Sequence, residues 1–125
     1  MIRIVTESMS DFTQEEAKAA DLIVMPLPIR FGMEEYWDDG VSLTQDDFYA
    51  RLRVAKALPK TSQVPVEHYR KCFNRLLENP EDEVLVITGS SKLSGCYQSA
   101  CIAREACHDP ARVTVLDSLN ATCAE

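Results

Sequence analysis

The sequence has little of what marks several large functional classes. Its 13 Lys+Arg stand against 20 Asp+Glu, a formal net charge of −7, and aromatics make up only 7%. With no cluster of basic residues, a nucleic-acid or anionic-membrane role is not expected. No apolar stretch approaches a membrane span, so integral membrane association is not expected either. The five cysteines, Cys72, Cys96, Cys101, Cys107 and Cys123, are odd in number and contain no C-x-x-C pair. That pattern fits neither a disulfide framework nor a zinc knuckle and points to a reducing, cytoplasmic location. The start, MIRIVTES, enters a strand-like run directly, without the basic, apolar and small-residue regions of a signal peptide. The G-x-x-x-x-G-K-[ST] spacing of a Walker motif is absent, and neither a cofactor nor a metal is expected.

What is present is strand and helix in alternation. With 125 residues and 46% hydrophobic content, the chain suffices for one compact domain. Strands are expected at 2–5, 22–31, 83–88 and 112–118. Helices are expected after the capping boxes at Thr13 and Thr44, from Pro65, and from Ser94 to about Cys107. The fold class is therefore α/β, a mostly parallel sheet flanked by helices. Pro26 and Pro28 cannot donate to a ladder, so the 22–31 strand should lie at an edge or leave the sheet early. EVLVIT at 83–88 is continuous and β-branched, as a central strand covered on both faces would be.

The segment GSSKLSG at 89–95 joins that buried strand to a helix, a place where open α/β sheets bind ligands. The helix start offers unpaired N–H groups and a positive dipole end, and Ser90, Ser91 and Ser94 add hydroxyl donors. Recognition of a carboxylate or phosphate follows, unless Ser94 merely caps its own helix. Thr61 and Ser62 in PKTSQ form a second hydroxyl pair, by itself an ordinary loop. A third polar turn, Glu7 to Asp11, should emerge at the same sheet edge as GSSKLSG, or else serve only local capping.

SSKLSGCYQSA at 90–100, LPKTSQ at 58–63, VMPLPIRFGMEEY at 24–36 and TESMSD at 6–11 resemble, in this order and spacing, the DegV family of bacterial fatty-acid-binding proteins. The resemblance covers nearly the whole chain. It implies a DegV-like N-terminal lobe over residues 1–125, with the C-terminal lobe absent from this chain. It further implies a long-chain fatty acid whose carboxylate is held by Thr61 and Ser94, with Ser62 and Gly95 beside them. Gly95, lacking a side chain, is expected to let the head group approach the backbone. The implied role is that of a carrier without catalytic residues, one that presents its ligand to a fatty acid kinase. The alternative is a protein-interaction or regulatory lobe with a vestigial crevice, self-associating through an uncovered apolar face. The sequence departs from the family pattern at Glu7, commonly aspartate there, and at Cys96, often threonine. It also ends where the family continues into a second lobe that contributes much of the acyl tunnel.

Other residues have simpler expectations. His68 and His108 lie near helix ends and should cap or meet solvent, a phosphoryl-accepting role for His68 ranking far below the clamp. Cys101 and Cys107 are expected to pack as small apolar residues. Tyr36 and Trp37 fall in an exposed-looking excursion, open to a partner protein or simply a surface loop. The pairs Asp38-Asp39 and Asp46-Asp47 lack a calcium-loop pattern and suit turns and helix starts.

Overall fold

Two prolines divide the β-structure. In the computed structural model, which describes residues 1–124, Leu22–Met25 (β2) runs parallel to Ile2–Glu7 (β1), with Glu7 opposite Met25. Past Pro26 the chain leaves that sheet. Pro28–Phe31 (β3) then pairs antiparallel with Glu34–Trp37 (β4) and with Lys60–Thr61 (β5). The expected single strand over 22–31 is thus two strands in two sheets, because neither proline can donate to a ladder. Gly32 takes φ +61° in the β3–β4 turn, a left-handed conformation that glycine adopts without steric cost. Glu125, the last residue of the expected lobe, lies outside the described residues.

The main sheet has the order β2-β1-β6-β7, where β6 is Glu83–Thr88 and β7 is Val113–Asp117, and every neighbouring pair is parallel. Strand β6 is central, as its composition predicts. Four helices accompany the strands: Gln14–Ala19 (α1), Gln45–Val54 (α2), Val66–Leu76 (α3) and Cys96–Glu105 (α4). Thr13 and Glu16 form the expected capping box, whereas Thr44 caps α2 by accepting from the Asp47 amide at 3.2 Å.

One face of the sheet carries the core. Val5, Val84, Val86 and Val113 pack there with Tyr69, Phe73 and Leu77 at α3 and Ala100 and Ala103 of α4. Helical spacing of the apolar residues sets this face, since Tyr69, Phe73 and Leu77 recur every four residues. The opposite face is thinner. Leu85 and Ile87 of β6 are half-buried, so the strand is covered on both faces as expected, but less completely on this one. The short α1 packs against β2, and its Ala17 is buried outside the main cluster. Arg112 holds the other end of the core, donating to the carbonyls of Leu77, Asn79 and Asp82 at 2.9–3.0 Å. It satisfies acceptors that a helix C-terminus leaves open.

Candidate functional site

Strand order reverses at β1, which has β2 on one side and β6 on the other. The crevice beyond the carboxyl ends of β1 and β6 is therefore a topological switch point, where open α/β sheets bind ligands. A polar cross-link closes its floor: Glu7, fully buried at the end of β1, accepts the Gly89 amide at the end of β6 at 2.8 Å. Glu7 thus belongs to the strand and not to the polar turn expected from the sequence. The turn itself is a 3-10 segment, Ser8–Ser10. Ser10 donates to the Glu7 carbonyl at 2.8 Å, a purely local cap. Ser8 reaches across the fold and accepts the Leu27 amide at 3.0 Å.

Above this floor lies a crevice of ≈ 540 Å³. Thr61, Ser62, Ser94 and Gly95 all line it, so the four residues named from the sequence, widely separated along the chain, are brought together. Met9, Leu27 and Leu93 supply an apolar wall beside them. Asp11 and Asp38 also face the crevice, and no Lys or Arg does so among the described residues. Desolvation by its surroundings raises the Asp38 carboxyl above the ordinary aspartate range, aided by the neighbouring charges of Asp11 and Asp39 and opposed by a hydrogen bond from Ser8.

Each of these hydroxyl-bearing residues is held by a different device. Thr61 lies in β5 opposite Ile29, and the Ser62 amide donates to the Pro28 carbonyl at 3.2 Å. PKTSQ is therefore partly strand, where a plain loop was expected. Ser94 precedes α4, which begins at Cys96, two residues later than the sequence suggested. Its hydroxyl accepts the Cys96 amide at 3.2 Å, so Ser94 does cap its helix. It also borders the crevice, and a hydroxyl that accepts from its helix can still donate its proton to an anion.

Gln63, Val64 and Ser99 were not singled out from the sequence. Gln63 donates to Ser99 in α4 at 3.0 Å, and the Val64 amide donates to the Cys96 thiol sulfur at 3.4 Å. Burial pushes the Cys96 thiol up, which keeps it protonated. Gly95 has φ −82°, an ordinary conformation, and what presses against it is the Gln63 side chain. The expectation that Gly95 admits a head group to the backbone thus gives way to a contact within the protein.

The remaining candidates sit elsewhere. Trp37 is half-buried with its ring 5.0 Å from that of His68, and the Arg51 guanidinium lies 4.6 Å from the Tyr36 ring centroid. These rings pack within the protein and are not a free excursion. His108 donates its amide to Asn74 at 2.8 Å. Cys107 joins the core, while Cys101 is half-buried. Asp39 accepts from the Val41 and Ser42 amides in the turn chemistry expected of it, and Asp46 and Asp47 occupy the first turn of α2. Among the described residues, no His, Cys, Asp and Glu side chains gather to hold a metal ion, and no helix is long and apolar enough to cross a membrane.

Comparison with known proteins gives the geometry a context. The sequence model of the DegV family, described as uncharacterised protein, matches residues 1–125. A DegV domain-containing protein of Caldanaerobacter subterraneus is 39% identical over 97% of this chain and 42% of its own length. A fatty acid-binding protein of Thermotoga maritima is 35% identical over 98% of this chain and 42% of its own length. The crystal structure of a stearic acid-binding protein from Eubacterium ventriosum superposes with a TM-score of 0.88 at 32% identity, covering 98% of this chain and 43% of that one. The chain thus spans well under half the length of these relatives.

Proposed function

The chain belongs to the DegV family, and from that premise we propose that it binds a long-chain fatty acid, acting as the N-terminal lobe of a carrier. In this reading the Thr61 and Ser94 hydroxyls donate to the carboxylate at the N-terminal end of α4, with Ser62 beside them. Charge-assisted hydrogen bonds and the helix dipole stabilise the anion without a full countercharge. Met9, Leu27 and Leu93 then meet the first methylenes of the tail. The observation that carries the reading is the convergence of Thr61, Ser62, Ser94 and Gly95 on one crevice at the switch point of the sheet. The names of the Thermotoga and Eubacterium relatives support the ligand class. A carrier of this kind has no catalytic step of its own, and the family resemblance suggests that it presents its acyl carboxylate to a fatty acid kinase.

The experiment is native mass spectrometry of the chain as purified from bacteria, followed by titration with palmitate. Bound or acquired fatty acid is expected, with Ser94→Ala weakening palmitate binding about tenfold through loss of a hydrogen bond to a charged group. Equal affinity of the two proteins with the fold intact counts against the clamp.

A second reading, an interaction lobe with a vestigial crevice, draws on the exposure of Leu93, Leu116 and Leu119, at 70%, 51% and 62%. It requires self-association or partner capture through that apolar surface. Sedimentation should then give a mass that rises with concentration, whereas a monomer throughout weakens this alternative by removing self-association.

A further inference from the structure

We propose that Gln63 is a positioning residue for the head-group clamp, a latch that ties the Thr61–Ser62 segment to α4, and that residue 95 is glycine to admit it. The effect on ligand binding rests on the carboxylate reading above; the latch itself stands on geometry. A Cβ built on Gly95 meets Gln63 Oε1 at 1.8 Å and Cδ at 2.7 Å. No side chain coexists with that contact unless the amide moves away. Since Gly95 has φ −82°, its backbone makes no demand for glycine, and the requirement is steric.

The far end of the Gln63 amide is fixed as well. Its Nε2 donates at 3.0 Å to Ser99 Oγ, whose residue is 1% exposed and lies one turn into α4. Buried hydroxyls hold their partners firmly, because a lost partner leaves a desolvated group unsatisfied. The next residue makes a second tie, the Val64 amide donating to the fully buried Cys96 sulfur at 3.4 Å. On the other side Thr61 is held by its pairing with Ile29. The four residues 61–64 are therefore pinned between the antiparallel sheet and α4. Thr61 and Ser94, separated by more than thirty positions in the sequence, acquire a fixed relation through Gln63. Donors placed in advance bind an anion without the ordering cost that a mobile loop would impose.

The test compares Gln63→Ala, Ser99→Ala, Gly95→Ala and the double substitution Gly95→Ala with Gln63→Ala. Each is titrated with palmitate and with hexadecanol, and amide hydrogen exchange is followed at Ser62 and Val64. Gln63→Ala and Ser99→Ala should each weaken palmitate about fivefold and leave hexadecanol nearly unchanged, since the alcohol lacks the anion that the donors are placed to meet. Exchange at Ser62 and Val64 should accelerate. Gly95→Ala should do more damage than Gln63→Ala, and removing Gln63 in that background should restore binding to the level of Gln63→Ala alone. Palmitate affinity unchanged by Gln63→Ala and Ser99→Ala, or lost equally for acid and alcohol, overturns the positioning role. A double substitution worse than Gly95→Ala overturns the steric account. If the unaltered chain takes up no palmitate, the binding reading fails instead. The latch then stands or falls on exchange, and unchanged protection at Val64 in Gln63→Ala rejects it.

Discussion

Asp38 is where the crevice works against its proposed ligand. A fatty acid carboxylate placed between Thr61 and Ser94 shares the crevice with Asp38 and Asp11 and meets no basic side chain of this chain among the described residues. Partial desolvation raises the titration of the Asp38 carboxyl above the ordinary aspartate value, while the residue keeps much of its surface in water. At pH values below that transition Asp38 is neutral and resembles asparagine; above it the ionised group repels the bound anion. Asp38→Asn should therefore bind palmitate with wild-type affinity at acid pH. The ratio of variant to wild-type affinity should rise through the transition and level off about threefold higher, the size of a partly screened interaction across several ångströms. A ratio that stays flat between pH 4 and 8 would place the head group away from Asp38. The sign for stability is the same: a folded-state carboxyl raised above its unfolded value favours folding less as pH rises through that window.

Also at the residue scale, the sequence and the structure part company over Gly95 and Cys96. Both were legible as a glycine and a threonine replacement beside a clamp serine. Neither reading could reveal that the partners are Gln63 and Val64, which arrive from a segment more than thirty residues earlier. A steric requirement between distant residues has no local pattern, because it depends on where the backbone returns.

The elements show a different balance. Helix α3 was predictable in extent because its apolar period and the flanking Pro65 and Pro80 are local facts, and the observed helix runs Val66–Leu76. Strand β5 was not, since a two-residue strand, Lys60–Thr61, exists only through its pairing with β3. The end of α3 also depends on a distant group. Arg112 reaches three carbonyls beyond the helix and donates its Nε to the Asp109 carboxylate at 2.8 Å. Arg112→Ala should lower the unfolding free energy by about 2 kcal/mol, the cost of leaving such acceptors less satisfied, read from a denaturant midpoint at unchanged m-value. Arg112→Lys should recover only part of it, because an ammonium lacks the planar fork that spans several acceptors.

For the whole molecule, the open crevice limits what the chain does with an acyl tail. Its apolar wall is Met9, Leu27 and Leu93, the last largely exposed. Fully burying a methylene contributes about 0.8 kcal/mol, close to a fourfold gain in affinity. Across a series from octanoate to stearate, this chain should gain well under fourfold per methylene and level off once the tail passes the crevice. A full fourfold slope to stearate would show that the chain, alone or as a dimer, encloses the tail.

The sequence by itself determined the α/β class, the central place of β6, the two capped helix starts at Thr13 and Thr44, and the hydroxyl-bearing segments whose order and spacing carry the family resemblance. The class, the strand position and the helix starts are consequences of periodicity, proline and capping, which act over a few residues, whereas the family is read only by resemblance. Only the tertiary structure decided that β2 and β3 belong to different sheets, that Glu7 is a buried cross-link to Gly89, and that Asp38 lines the same crevice as Thr61 and Ser94. The same holds for Gln63, which fills the space left by Gly95. Each of these is a contact between residues far apart in the chain, and its energy depends on burial and distance, quantities that exist only once the chain has folded.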